Sequence, residues 1–310
     1  MIWLLLAFLS AALLGFYDVS KKKALQGRPV IPVLFLNTLF CSLIFLPVAL
    51  HPSVPFGGWA VQKYIVLKSF IVLSSWICGY YGIKNLPLTL VGPINATRPV
   101  MVLLGALLLF GERLNLYQWI GVLLAILSFY MLSRSGKKEG IDFRHNRWIA
   151  LTVLAALLGA VSGLYDKYLM AAPEAGGVGL NRLTVQSYFN FYQCAIMGVL
   201  CGLTPNPSLV ERGEGRGRTY LFPSLQGRGR GWVCWVLLVS LFLSMADFAY
   251  FYALSLDGAM ISVVSMVRRS SVLVSFTVGA FVFHEKNLRS KAIDLFLVLL
   301  GMIFLYIGTK

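Results

Sequence analysis

The sequence predicts an all-α membrane protein, with ten transmembrane helices in two inverted five-helix repeats. Three observations carry this. Hydrophobic residues fill 58% of the 310 positions and charged residues only 13%, against about 25% charged in an ordinary soluble domain. The apolar residues gather in ten runs, several of them about 20 long, the length that crosses ~30 Å of hydrocarbon. Two runs also look alike. Residues 80–112 and 251–285 each open on an aromatic pair, continue apolar, are interrupted by arginine and stop at a glutamate. Tyr81 precedes Arg98 by 17 positions, and Tyr252 precedes Arg269 by the same 17.

In order, the expected spans lie near 2–20, 30–50, 64–84, 88–110, 116–133, 148–169, 183–203, 232–256, 259–283 and 290–308. They leave no room for a soluble domain. The first run lacks a basic segment ahead of it and nine more follow, so it reads as a retained helix rather than a cleaved signal. The five cysteines are scattered, with no C-x-x-C, and suggest neither a zinc site nor a disulfide framework. They read as small apolar packing residues. The net charge of +15 fits loop lysines and arginines that orient helices and meet anionic lipid. No nucleic-acid partner is expected, because no recognition fold fits between the spans.

The chain repeats. Gly15-Phe16-Tyr17-Asp18 ends the first span and Gly163-Leu164-Tyr165-Asp166 ends the sixth, each followed by lysine. Asp18 to Arg98 is 80 residues and Asp166 to Arg269 is 103. Residues 204–231, rich in Pro, Gly and Arg and without apolar periodicity, supply the excess as an inserted flexible loop. The organisation is therefore a first unit over 1–133, a charged linker over 134–147, and a second unit over 148–310 that contains the insertion. Five spans per unit is odd, so tandem halves must lie in opposite orientations across the membrane. Such inverted repeats hold transporter sites near the midplane.

Ala96-Thr97-Arg98-Pro99, the stretch from Leu109 to Leu114 with Trp119-Ile120-Gly121, and Phe283-His284-Glu285-Lys286 carry a family likeness. The chain resembles ten-helix transporters of the EamA family, in the drug/metabolite transporter superfamily. The resemblance covers nearly the whole chain outside 204–231. It implies a substrate cavity between the halves and alternating access without ATP hydrolysis. Arg268-Arg269-Ser270 departs from the single Arg-Pro of the first half, which leaves open which arginine faces the cavity.

Arginine within a membrane-grade run is costly, so each is a functional-site hypothesis. Val91, Asn95 and Arg98 share one face of the fourth span, bracketed by Gly92-Pro93 and Pro99. Proline there frees backbone carbonyls that can line a cavity. In the ninth span Ser262, Ser265 and Arg269 form a similar stripe, while Arg268 shares a face with Ser271 and Ser275. One reading makes these faces a cavity wall where arginine meets an anionic group. The other pairs each arginine with a carboxylate, Asp18, Asp166 or Asp247, as a tie between helices. Both stay open on the residues alone. Asp247 shares a face with Tyr250 and Leu254, and Asp18 can pair with Lys22 at i, i+4. The substrate-binding candidates are Arg98, Arg269, Asn95, Asp247, Tyr81, Tyr252, Asp18 and Asp166. Glu112 and Glu285 read as ties at hairpin turns, and Lys21 to Lys23 as orientation signals.

Catalysis finds no support. The three histidines are scattered and no hydrolase, zincin or P-loop motif occurs, so no enzyme and no cofactor is expected. Loop charge and family likeness point opposite ways on orientation. Five lysines and arginines fall on the side of the termini and eighteen on the other, thirteen without the insertion. Positive-inside then puts both termini outside the cytoplasm, whereas the resemblance implies both inside. The charges, which belong to this chain, are given the greater weight.

The expectation is a secondary transporter in the cell membrane, exporting a small polar metabolite that is anionic or zwitterionic. A proton is the candidate coupling ion, and a homodimer in the bilayer is an allowed assembly. A non-transporting scaffold or receptor and a multidrug exporter are the alternatives.

Overall fold

A computed structural model describes residues 2–51, 54, 56–101, 104, 115–137, 143, 145–170, 173–203, 229–255, 267–283 and 288–308. Among them there are ten α-helices and no strand: α1 (Ile2–Leu25), α2 (Val30–Ala49), α3 (Gly58–Asn85), α4 (Leu88–Ala96), α5 (Leu116–Lys137), α6 (Arg147–Met170), α7 (Arg182–Leu203), α8 (Gly229–Ser255), α9 (Ser271–Phe283) and α10 (Leu288–Ile307). A single 3-10 turn, Pro173–Ala175, precedes α7. Short polar residues set the starts. Asn115 and Gln118 exchange side-chain to main-chain hydrogen bonds of 2.9 and 3.0 Å at the head of α5, a reciprocal cap. Asn146 and Asn181 accept from the main chain two residues on, each at 2.9 Å, at the heads of α6 and α7. Pro29 and Pro87 stand before α2 and α4, where a missing N–H costs nothing.

Side chains are sorted for a bilayer. Large apolar groups such as Leu5, Phe281 and Phe296 face outward, while Asn37, Gln62, Ser69, Gln193 and Ser240 are wholly buried. Helices α1, α2 and α3, and the stretches Leu116–Arg134, Arg147–Asp166 and Gly231–Tyr250, are long and apolar enough to cross a membrane. This is an all-α integral membrane protein.

The helices interlock across the chain rather than along it. α1 packs on α8 and α9, α6 on α3 and α4, α2 on α7, α5 on α10, and α4 on α9 and α10. Two glycines permit the closest crossings. A Cβ on Gly15 would stand 2.4 Å from Val274 Cβ on α9, and one on Gly82 would stand 2.2 Å from Thr152 Oγ1 on α6. Small residues let helix backbones approach in this way. Hydroxyls fasten α1 to α8 and α3 to α6: Ser10 donates to the Ala246 carbonyl at 2.7 Å, and Ser75 to the Ala155 carbonyl at 2.8 Å.

Several expectations shift. α8 begins at Gly229, inside the stretch expected to be loop to 231. Residues 204–228, together with Glu112, His284, Glu285, Ser262 and Ser265, lie outside the described residues. Lys291, expected in a connecting loop, is fully buried in α10. Lys21, expected as an interface charge, is also buried. Both have polar partners from within the bundle, which is what makes their burial tolerable.

Candidate functional site

Both arginine positions singled out by the sequence stand at breaks in their helices. α4 ends at Ala96, turns at Thr97 and resumes at Arg98. Pro99 explains the break, since its ring lacks a donor and crowds the carbonyl one turn back. In the ninth helical segment the chain is helical over 267–269, turns at Ser270 and continues as α9. No proline is present there. The same local device serves both turns: Thr97 Oγ1 donates to the Ile94 carbonyl at 2.7 Å, and Ser270 Oγ donates to the Val267 carbonyl at 2.6 Å. A hydroxyl bonded back three residues competes with the helical ladder.

Arg98 lies between the two halves of the chain. Its Nη2 donates to Asn95 Oδ1 at 3.3 Å, and its buried Nε has no acceptor. The guanidinium rests against Gly159 of α6, where a Cβ would come within 2.8 to 3.0 Å of Cζ, Nη1 and Nε. It is within electrostatic reach of Asp18 and Tyr17 and of Arg269, which repels it. Arg269 makes no ion pair among the described residues. Beside them Lys21 pairs with Asp18 at 2.8 Å and sits 4.1 Å from the Tyr17 ring and 5.2 Å from the Tyr80 ring. Two cations, Lys21 and Arg98, therefore share the Asp18 carboxylate, and Arg269 adds positive charge beside Arg98.

The neighbouring Arg268 behaves differently. Its guanidinium pairs with Asp247 and lies 4.3 Å from the Tyr250 ring, while Gln186 Nε2 donates to the other Asp247 oxygen at 3.4 Å. Arg268 is the tie between helices, and Arg269 is within charge reach of both Arg98 and Arg268, which repel it. The two readings left open by the sequence thus apply to adjacent residues.

The other expected site residues are dispersed. Asp166 pairs with Lys68 of α3 at 2.7 Å, and Lys68 also lies 4.9 Å from the Phe189 ring. Tyr81 stacks on Trp148 with centroids 6.2 Å apart. Tyr252 is half exposed and stacks on Phe248 at 6.4 Å. Tyr80 and Tyr17, one position removed from the expected aromatic and aspartate, are the rings at the charge cluster. Asp18 pairs with Lys21 rather than Lys22, because Lys22 Nζ donates to the Leu86 carbonyl in the α3–α4 connection. Sequence reasoning passed over Lys68, Lys291 and Asp294, and over the buried stripe Gln186, Asn190 and Gln193 on α7. Their signal was available: charged and amide residues inside runs long enough to span.

Residues 1–134 match the model of the EamA-like transporter family. Over this first part, the chain is similar to the EamA-like transporter family. The matched stretch contains α1 to α4 and most of α5, hence Asp18, Lys21, Tyr80 and Arg98; Arg269 lies beyond it. An "Uncharacterized transporter" of Archaeoglobus fulgidus is 28% identical over 143 residues, 44% of this chain and 50% of the relative. Another "Uncharacterized transporter", of Pseudomonas aeruginosa, is 31% identical over 126 residues, 37% of this chain and 42% of that one. The alignments thus span about half the length of these curated relatives. A solved structure described only as "Crystal structure of protein" superposes on 99% of this chain and 97% of its own, with a TM-score of 0.64 at 15% identity. That likeness is one of fold.

Proposed function

We propose that this EamA-like chain is a secondary transporter that exports a small anionic or zwitterionic metabolite across the cell membrane by alternating access. Its substrate presents a carboxylate or phosphate to Arg98 and Arg269. One observation carries the reading: two arginines from different halves stand at breaks in packed helices within charge reach of each other, and among the described residues Arg98 Nε has no acceptor and Arg269 no ion pair. Like charges held together in a low-dielectric interior are expensive, and an anion between them removes the cost. Arginine's planar fork suits carboxylate and phosphate geometry. A fully tied scaffold would leave no such pair. A cation-extruding drug pump would not place surplus positive charge at its centre.

The architecture proposed with it is two inverted five-helix repeats, 1–133 and 148–310. Exchange of each helix with the one five places on maps α1–α8 onto α6–α3 and α1–α9 onto α6–α4, and maps α2–α7, α4–α9 and α5–α10 onto themselves. All these contacts occur, as a pseudo-two-fold relation requires. The serine ties agree. The step from Tyr81 to Tyr252 also carries Ser75 to Ala246, and Ser75 donates at one crossing while Ala246 accepts at its mate.

The test is uptake and counterflow in proteoliposomes against a panel of amino acids, mono- and dicarboxylates and organic phosphates. Arg98→Ala and Arg269→Ala should abolish flux of the accepted compound with membrane insertion intact, and Arg→Lys at either position should rescue poorly. Undiminished flux in both alanine variants refutes the proposal.

A further inference from the structure

Asp294 lies about two turns into α10 and is completely buried. Neither of its carboxylate oxygens receives a hydrogen bond. The segment is nonetheless well held, since the Asp294 main-chain carbonyl accepts from Ser128 Oγ of α5 at 2.6 Å. One turn earlier, Lys291 is also completely buried, and its Nζ donates to Thr89 Oγ1 of α4 at 2.9 Å. Lys291 is the charge that acts on Asp294. The packed neighbours add no other among the described residues. α4 and α9 contain no ionisable side chain. On α5, Tyr117, Tyr130 and Arg134 are exposed, away from this seam, and Lys137 ends the helix.

An ionised carboxylate without donors in such an interior is strongly disfavoured. Two arrangements relieve it. Asp294 can carry a proton, which leaves the Lys291 ammonium on Thr89 as observed. Alternatively, the ionised group draws the ammonium across the one-turn spacing, and Thr89 is released. Thr89 is on α4, and Asn95 and Arg98 lie six and nine residues further along. The seam is therefore a two-position contact connected to the arginine site by α4 and the turn at Thr97.

We propose that Asp294 is a proton-binding site, and that Lys291 and Thr89 pass its protonation state to Arg98 through α4. Water on one side of the membrane supplies the proton, one carboxyl O–H bond forms, and the same proton leaves to water on the other side. Lys291 keeps its own charge throughout. The proton-binding half of this proposal stands on the seam alone; the coupling half rests on the transport reading above.

The full chain in liposomes, followed by infrared difference spectroscopy through a series of pH steps, tests the first half without any substrate. A protonated-carboxyl band should rise on acidification and be absent in Asp294→Asn. Thr89→Val should keep the band but move the pH at which it appears, because Lys291 then loses the hydroxyl that holds it on α4; a merely structural aspartate gives no band to move. For the second half, uptake of the accepted compound is measured across pH. The wild-type profile should vary at least tenfold and that of Thr89→Val should be flat. A band that persists in Asp294→Asn, the lack of any titrating carboxyl in the wild type, or a response to a sodium gradient in place of a proton gradient overturns the assignment. A clear band in a protein that moves no compound on the panel upholds the proton site and sinks the transport reading alone.

Discussion

Replacing Gly159 by alanine probes the arginine site without touching an arginine. The new methyl carbon would stand 2.8 Å from Arg98 Cζ and 2.9 Å from Nη1, whereas carbon contacts settle at about 3.5–4.0 Å. The guanidinium must then move by roughly 0.7–1.2 Å, the shortfall from that contact range. It is the end of a long side chain, so the shift should be cheap for the fold, at or below the ~1–3 kcal/mol of ordinary overpacking. The consequence for an anion is larger. Losing a hydrogen bond to a charged group costs about 1.5–3 kcal/mol, which is roughly a 10- to 150-fold weaker affinity. Thermal unfolding in detergent and the half-saturation concentration for uptake separate the two effects. The expected result is a melting temperature within a few degrees of wild type and half-saturation raised by at least tenfold. Unchanged half-saturation in a folded variant would show that the space over Gly159 is not what positions Arg98. A collapse of stability would show instead that Gly159 is a packing residue.

Two further outcomes follow from the geometry. Asp247→Ala leaves Arg268 without its carboxylate. With about a fifth of each side chain still exposed, the cost should fall below the ~3–5 kcal/mol of a fully buried pair. Removing Arg268 as well should recover most of that loss in thermal unfolding, and no recovery would mean the pair is not a tie. Deletion of residues 206–226 should leave insertion and uptake unaltered, since the segment is polar and lies outside the repeated pattern. Loss of either would give that segment a role of its own.

The apolar run lengths predicted the helices well, because a bilayer demands them of any chain that crosses it. The arginines were legible for a related reason: charge within such a run is conspicuous. What periodicity could not resolve is rotation about the helix axis at a break. Arg268 and Arg269 are adjacent and chemically identical, and the step of about 100° between successive residues of a helix gives Asp247 to Arg268 and not to Arg269. Tyr80 and Tyr81 were exchanged for the same reason, an offset of one position in facing. Asp294 and Lys291 were missed because they sit near the start of a run, where a sequence reading assigns charge to the loop.

The pairing of α1 with α8 bears on how the protein is made. Ser10 and its acceptor Ala246 are 236 positions apart, which at ~5–20 residues per second means a delay on the order of 10–50 s during synthesis. Through that interval α1 must reside in the membrane without α8. Its acidic residue does not have to wait, because Lys21 is on the same helix one turn away and is translated immediately after Asp18. Asp166 emerges to find Lys68 already in place, and Asp247 is followed by Arg268 within 21 residues. Each of these three carboxylates meets its counter-charge at the moment of synthesis or soon after, so the order of the pairs along the chain spares the translocation machinery a long-lived exposed acid.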